Sequence, residues 1–178
     1  AGDVLVTPEG IGIDELPTGA TIGTASLRRQ AQLLAERPDL DVVPVRGNVD
    51  TRIVKLLAPG LQRRRAAVAA AEEDEAEDEV DAESVDSWMA ERSDLERRAL
   101  DRAIETEFDG LVLAAAGLER SGLRSEVGDT ALPTEQFVPA PGQGALAVTM
   151  RETDLAEAIN RYLDHPPTRV EVTVERTI

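Results

Sequence analysis

Short apolar runs alternate with amphipathic stretches along most of this chain. Six apolar runs of strand length are predicted as strands: residues 4–6, 20–24, 42–45, 111–115, 143–150 and 170–174. Four stretches with apolar residues at helical spacing are predicted as helices: residues 26–37, 50–57, 94–107 and 155–163. Strands that alternate with helices predict an α/β fold with a mixed, mainly parallel sheet flanked by helices.

One segment departs from this pattern. Residues 72–86 contain ten carboxylates and no basic residue, and almost no large apolar side chain. Such a composition favours solvation over burial. We therefore expect a disordered acidic insertion at about residues 60–93, helical at its edges, with Trp88 and Met89 docking its far end on the body of the protein.

The charge balance narrows the function classes. The 178 residues include 35 Asp and Glu against 19 Lys and Arg, for a formal net charge of −16. This charge argues against a nucleic-acid partner, because phosphate neutralisation needs a basic face. Lys55 is the single lysine. The acidity is typical of halophilic proteins, since at molar salt the Debye length is about 3 Å and carboxylates barely repel one another. An acidic mesophilic protein is the alternative.

Other residue types are informative by their scarcity. The sequence has no cysteine, which excludes disulfides, thiolate metal sites and a cysteine nucleophile within it. His165 is its single histidine, so a multi-histidine metal site is excluded and a Ser-His-Asp triad is disfavoured. No apolar run has the length of a membrane span and no signal segment opens the chain. We expect a cytoplasmic monomer that binds no metal and no membrane.

Residues 24–29 (TASLRR) lie where a predicted strand ends and a helix begins. Arg28 and Arg29 in the first helical turn oppose the helix dipole, which favours anions at that end. Together with the free backbone N–H groups, they are predicted to bind an external anion. A surface role is the alternative for the two arginines, and a helix N-cap is the alternative for Ser26.

Residues 45–52 (VRGNVDTR) repeat this arrangement. Arg46 follows a predicted strand, Arg52 lies in the first turns of the next helix, and Asp50 is interpreted as a helix cap. Ligands of open α/β sheets bind outside the carboxyl ends of the strands. Arginines at two such ends should converge on one crevice, and in so acidic a chain they predict a ligand with several carboxylates or phosphates.

A third stretch, residues 139–145 (PAPGQGA), predicts a stiff turn whose glycines let the backbone approach a neighbour closely. Gln143 suits either a hydrogen bond to a ligand or one to a buried backbone group. Nucleotide-binding motifs are not found: Glu15 stands where a dinucleotide fingerprint starting at Gly10 needs glycine, and there is no Gly-Lys-Ser/Thr phosphate loop.

Three blocks of the sequence resemble the porphobilinogen deaminase (hydroxymethylbilane synthase) family. Residues 22–56 are similar to its second-domain signature, and residues 108–123 and 132–151 resemble its next two blocks, in the same order. The resemblance covers nearly the whole chain outside the acidic insertion. It implies a domain like that of periplasmic binding proteins, with a crevice between two domains.

The resemblance also implies a function. The family's enzymes are transferases of tetrapyrrole and haem biosynthesis that condense four porphobilinogen molecules into the linear hydroxymethylbilane and release ammonia. The product grows on a dipyrromethane cofactor attached to a cysteine, and every pyrrole carries an acetate and a propionate. By resemblance, these carboxylates are bound by Ser26, Arg28, Arg29, Arg46 and Arg52. The same crevice is lined by Thr24, Gly47, Asn48, Gly117 and Gln143.

The chain differs from the family because it lacks residues that the family uses in catalysis. The family's catalytic aspartate, which follows a lysine, and its cofactor cysteine lie outside this sequence, so the resemblance implies no catalytic residue here and no activity for the chain alone. It also implies an organisation: a hinge or entry segment (1–19), domain two with substrate and cofactor sites (20–142), and a return strand and helix toward domain one with the start of domain three (143–178).

Two other readings remain open from the residues. One is a non-catalytic module of the same fold that binds a small polycarboxylate or phosphate. The other is an interaction protein whose acidic residues 72–86 dock a basic partner. Binding measurements with porphobilinogen, phosphate and citrate distinguish the first from the enzyme, and deletion of the acidic run tests the second.

Overall fold

A computed structural model describes residues 2–75, 84–151 and 154–177 of the chain. Its strands are β1 (Asp3–Thr7), β2 (Thr21–Gly23), β3 (Asp41–Val43), β4 (Gly110–Ala114) and β5 (Gly128–Ala131). Its helices are α1 (Leu27–Glu36), α2 (Val49–Glu75), α3 (Val85–Ala90), α4 (Asp94–Leu100), α5 (Ala115–Arg120), α6 (Asp154–Leu163) and α7 (Pro166–Thr177). Among these described helices, none combines the length and the apolar character needed to cross a membrane.

The five strands form one mixed sheet in the order β3-β2-β4-β1-β5. Strand β2 pairs in parallel with both β3 and β4, whereas β1 pairs antiparallel with both β4 and β5. Four strands therefore run in one direction and β1 runs against them. The predicted α/β class, with a mixed and mainly parallel sheet flanked by helices, is confirmed.

The direction of β1 decides which of its residues lies beside the carboxyl ends of the parallel strands. Asp3 is opposite Ala114, the last residue of β4, and Val6 is opposite Leu111. Because β1 is antiparallel, its first residue reaches the same edge as the carboxyl ends of β2, β3 and β4. The edge that carries the two arginine-containing turns therefore also carries Asp3.

Helices and loops cover both faces of the sheet. Alternate residues of β1 point to opposite faces, as the period of a strand requires: Val4 and Val6 join one buried cluster and Leu5 joins the other. The first cluster packs against α2 and α4 through residues such as Ile53 and Leu95. The second packs against Leu33 of α1 and against Leu132 and Phe137 of the segment after β5. β1 is buried along its whole length.

The predicted insertion contains more helix than its composition indicates. Helix α2 continues to Glu75, and α3 and α4 follow residue 84. Val68, Trp88 and Leu100 form a small separate core, with Leu61 and Met89 packed against it. We call residues 61–75 and 84–100 the helical extension; residues 76–83, the centre of the acidic run, lie outside the described residues. Trp88 is buried, but the residues around it belong to the helical extension itself, so the predicted docking of Trp88 and Met89 on the body of the protein is not confirmed.

Two predicted strands at the end of the chain are wrong. Residues 145–150 form neither helix nor strand, and residues 170–174 lie within α7. The β-branched residues of the second run favoured a strand, but Pro166 suits the first turn of a helix. The hydroxyl of Thr173 also donates to the carbonyl oxygen of Arg169 at 2.7 Å, a bond that helical spacing makes possible. The predicted helix at 94–107 ends earlier, at Leu100.

Candidate anion-binding site

The centre of the site is a buried carboxylate that the sequence did not single out. Asp3 is 2% exposed. Its Oδ2 lies 2.7 Å from Nη2 of Arg28, and its Oδ1 lies 2.7 Å from Nη2 of Arg29. The two arginines predicted to hold an external anion thus share an internal one.

Gln143 joins the same network from the other end of the sequence. Its Nε2 donates to Oδ1 of Asp3 at 2.6 Å, and its Oε1 accepts from Nη2 of Arg28 at 3.0 Å. Nη1 of Arg28 donates to Oε1 of Gln32 and to the carbonyl oxygen of Val138. Four of the five N–H donors of Arg28 therefore have partners within the protein.

Two opposing effects act on the pKa of Asp3. Burial raises the pKa of this carboxyl group, but hydrogen bonds from Arg29 and Arg28, the positive charge of Arg29 and a hydrogen bond from Gln143 lower it. The net result is a pKa below the ordinary value of an aspartate. Asp3 is therefore ionised at neutral pH, and it compensates one of its two arginines.

Arg29 differs from Arg28 in how many donors are occupied. Besides its bond to Asp3, Arg29 donates from Nη1 to the carbonyl oxygen of Val112 at 3.3 Å. Its Nε is buried and has no hydrogen-bond partner among the described residues. A buried guanidinium N–H without a partner is costly, and the protein itself covers Nε. The two bonds of Arg29 use one N–H on each terminal nitrogen, so each terminal nitrogen keeps a second N–H. The side chain is 12% exposed, and these two N–H groups are the donors available for an anion.

The hydroxyl residues of this turn have local partners. Oγ of Ser26 accepts from the backbone N–H of Arg29 at 3.4 Å, so Ser26 is the N-cap of α1. Oγ1 of Thr24, which is buried, accepts from the backbone N–H of Ser26 at 3.3 Å. The backbone N–H of Thr24 donates to the carbonyl oxygen of Val43 at 3.0 Å. These bonds fix the direction in which α1 leaves the sheet.

The second arginine turn is built on a glycine. Gly47 has φ +118°, and a Cβ at this position would lie 2.7 Å from Cγ2 of Thr51. Oδ1 of Asn48 accepts from the backbone N–H of Thr51 at 3.2 Å and so caps the start of α2. The predicted cap at Asp50 is wrong: its carboxylate pairs with Arg98 at 3.0 Å.

Arg52 is bound to its own turn and lies near Arg29 of the first turn. Its Nε donates to the carbonyl oxygen of Gly47 at 2.8 Å, which holds the side chain along the turn. Burial lowers the pKa of Arg52, and the positive charge of Arg29 lowers it further. The two guanidinium groups are therefore close enough to repel each other. An anion between them would relieve that repulsion.

The remaining predicted residues are placed less centrally. The Arg46 residue is exposed, and its carbonyl oxygen accepts from Nζ of Lys55 at 3.3 Å. Gly117 lies in α5, directly after β4, where an added Cβ would lie 3.7 Å from Cγ2 of Val49. The structure brings Arg28, Arg29 and Gln143 into one network. That these residues bind a ligand stays a prediction.

Sequence reasoning missed Asp3 because its importance depends on strand direction. The available signal was that Asp3 directly precedes an apolar run, because a carboxylate that is buried with such a run needs a partner.

No cluster of three or more His, Asp or Glu residues suited to a metal ion occurs within residues 2–75, 84–151 and 154–177.

The comparison with known families covers this site. Residues 1–74 and 88–158 match the family model for the dipyromethane cofactor-binding domain of porphobilinogen deaminase. The chain belongs to the porphobilinogen deaminase family. The match includes both arginine turns, Asp3 and Gln143, and it omits residues 75–87 and 159–178.

Individual relatives agree with this assignment. The chain is 42% identical to a probable porphobilinogen deaminase of Halobacterium salinarum, over 99% of this chain and 55% of that protein. It is 37% identical to the porphobilinogen deaminase of Nitratidesulfovibrio vulgaris, over 98% of this chain and 40% of that protein. A probable porphobilinogen deaminase of Methanopyrus kandleri is 38% identical over 99% of the chain and 43% of its own length. The chain thus spans about half, or less, of these relatives.

Proposed function

We propose that this chain is the carboxylate-binding part of an enzyme that condenses four porphobilinogen molecules into hydroxymethylbilane with release of ammonia. In this proposal the chain binds the acetate and propionate groups of the pyrroles through the arginines at the carboxyl edge of the sheet. The supporting observation is that Arg29 uses two of its five N–H donors for bonds to described residues and is close enough to Arg52 for its charge to lower the pKa of Arg52.

The donors at this edge fit a dipyrromethane cofactor. Its carboxylates need N–H donors in a forked arrangement, which guanidinium groups provide. Arg29 and Arg52 would hold such carboxylates, and the exposed Arg46 would approach them from the next turn. When bound, the dipyrromethane supplies the covalent anchor to which pyrroles are added. This chain's own residues would bind and orient the pyrrole carboxylates.

The chain by itself should not form hydroxymethylbilane. It contains no cysteine, so the dipyrromethane has no thiol to attach to within these residues. Incubation of the isolated chain with porphobilinogen, followed by detection of bilane, tests this directly. Appearance of the product would contradict the proposal.

Calorimetry on the isolated chain tests the binding role. Porphobilinogen should bind more tightly than citrate or inorganic phosphate, and Arg52→Gln should weaken it about tenfold, as expected for a charge-assisted pair. Arg63→Gln is the matched control. Arg63 pairs with Glu107 on the exposed side of α2, so its loss should leave the affinity unchanged.

The same titrations decide between the enzyme and a general anion-binding module. Equal affinity for porphobilinogen, citrate and phosphate would favour the module, because a site shaped for pyrroles discriminates by more than charge. Binding of none of the three would contradict a carboxylate-binding role for the isolated chain.

A further inference from the structure

We propose that Asp3 is a positioning residue for the carboxylate-binding site: it fixes the guanidinium of Arg29 so that its remaining N–H donors face the ligand together with Arg52. This inference rests on the proposed function of the site. It assigns Asp3 to the edge where the ligand binds, and it separates the roles of the two neighbouring arginines.

The burial of Asp3 indicates that its carboxylate stays bound to the two arginines when a ligand binds and is not displaced by that ligand. The side chain is 1% exposed. Its two oxygens together accept from Arg28, Arg29 and Gln143 at 2.6–2.7 Å. Displacement would break three short charge-assisted or buried bonds and would leave a carboxylate buried without partners, which is strongly unfavourable.

The contacts of Arg29 hold its guanidinium plane from two sides. Asp3 accepts from Nη2 at 2.7 Å and the carbonyl oxygen of Val112 accepts from Nη1 at 3.3 Å. A planar group with two of its nitrogens held cannot rotate freely, so the direction of Nε is set as well. The donors left over face away from these two acceptors.

Arg28 has a different role in the same network. Four of its five donors are occupied by Asp3, Gln143, Gln32 and Val138. It joins the 138–143 segment to α1 and compensates the charge of Asp3. Asp3 thereby connects three distant parts of the sequence at one edge of the sheet: β1, the first turn of α1 and the turn at Gln143.

The first experiment measures porphobilinogen affinity for the isolated chain by calorimetry. Asp3→Asn keeps the shape of the side chain and removes its charge, and it should weaken binding about tenfold. In an Arg29→Ala background the same change should have almost no further effect, because there is no Arg29 to position. Asp39→Asn is the control: it breaks another arginine–aspartate pair of 2.7 Å, with Arg37, away from the site, and should leave affinity unchanged.

Each other result contradicts the inference. Affinity that is unchanged or increased in Asp3→Asn would show that Asp3 does not position Arg29 or that it competes with the ligand. An equal loss in the wild-type and Arg29→Ala backgrounds would show that Asp3 acts through general stability. If Asp3→Asn fails to fold, Asp3→Asn with Arg28→Gln replaces it, since this pair removes one charge of each sign. The same loss of affinity is expected.

A second measurement does not depend on ligand binding. The ¹⁵N and ¹H signals of the Arg29 guanidinium should show slow rotation in the wild-type chain and fast rotation in Asp3→Asn. Equal rotation in both proteins would overturn the inference. If the wild-type chain does not bind porphobilinogen, the proposed function of the isolated chain fails, while these signals still decide whether Asp3 holds Arg29.

Discussion

Arg29 and Arg52, 23 positions apart in sequence, lie close enough for the charge of the first to lower the pKa of the second, in addition to the larger effect of burial. Asp3 shares its one negative charge between Arg28 and Arg29, and the fixed partner of the Arg52 guanidinium is the neutral carbonyl oxygen of Gly47. Two like charges are thus held together at the edge of a sheet where ligands of α/β proteins bind.

This arrangement predicts that multivalent carboxylates stabilise the chain. At constant ionic strength, citrate or porphobilinogen should raise the melting temperature more than chloride does, because only a ligand that binds the folded state shifts unfolding. At 100 times its Kd a ligand stabilises by about 2.7 kcal/mol, a shift of a few degrees. Arg52→Gln should abolish most of the difference between citrate and chloride, whereas Arg63→Gln should retain it.

Gly47→Ala should destabilise the chain by about 1–3 kcal/mol, measured by urea unfolding. The backbone has a positive φ of 118° and a new Cβ would lie 2.7 Å from Thr51. The carbonyl oxygen of the same residue holds Arg52, so porphobilinogen affinity should fall as well.

Gly60→Ala is the matched control and should have the opposite sign. Gly60 lies within α2, and an added Cβ would meet no atom within 4 Å. Alanine is favoured over glycine inside a helix by about 0.5–1 kcal/mol. Equal destabilisation by both substitutions would show that the strain at Gly47 does not matter.

Acid should weaken the fold partly through Asp3. The pKa of Asp3 is lowered in the folded state, so the stability that it contributes is fully present above its unfolded-state pKa and is lost as pH falls through the folded-state pKa. The free energy of unfolding should therefore fall more steeply for the wild type than for Asp3→Asn between about pH 5 and about pH 1. Asp39, whose pKa is lowered to about 2, contributes to both proteins equally and cancels in this comparison.

Asp3→Asn should also be less stable than the wild type at pH 7, by about 3 kcal/mol, because it leaves buried arginine charge without its partner. Parallel pH curves for the two proteins would contradict the assignment of the charge.

Trp88 should report on the helical extension separately from the sheet. It is the single tryptophan of the chain, it is buried, and Arg92 lies 4.8 Å from the centre of its ring. Its small core shares few residues with the two clusters around the sheet. We expect its emission to shift to the red at lower urea than the loss of far-ultraviolet circular dichroism. Coincident transitions would show that the extension and the sheet unfold as one unit.

Salt should stabilise the chain because of its net charge of −16. Raising the salt concentration from about 0.1 M to about 1 M shortens the Debye length from about 10 Å to about 3 Å, which weakens repulsion among the carboxylates. The urea midpoint should rise steadily over this range. Urea curves that do not change with potassium chloride would contradict the halophilic interpretation of the composition.

Much of the central fold could be predicted because its elements have strong local signals. The apolar run that forms β4 and the Ser26 cap of α1 are properties of a few adjacent residues, and the structure has both. β5 was missed because its sequence, GDTA, has little apolar character. The strand expected at 170–174 was wrong because β-branched residues are tolerated within α7.

The site was only partly predictable for a different reason. The arginines could be placed at strand ends from sequence, since that position depends on local order alone. The partner of Arg28 and Arg29 could not, because it depends on β1 running antiparallel between β4 and β5. No local pattern in β1 indicates which neighbours it pairs with.

The position of β1 inside the sheet has a practical consequence for anyone who produces this protein. The carbonyl oxygen of Gly2 accepts from the backbone N–H of Ala115, and that of Asp3 accepts from Leu132. A shorter version of the protein that starts after Thr7 would therefore lack a middle strand of the sheet, and the backbone N–H groups of Ala115 and Leu132 would lose their acceptors.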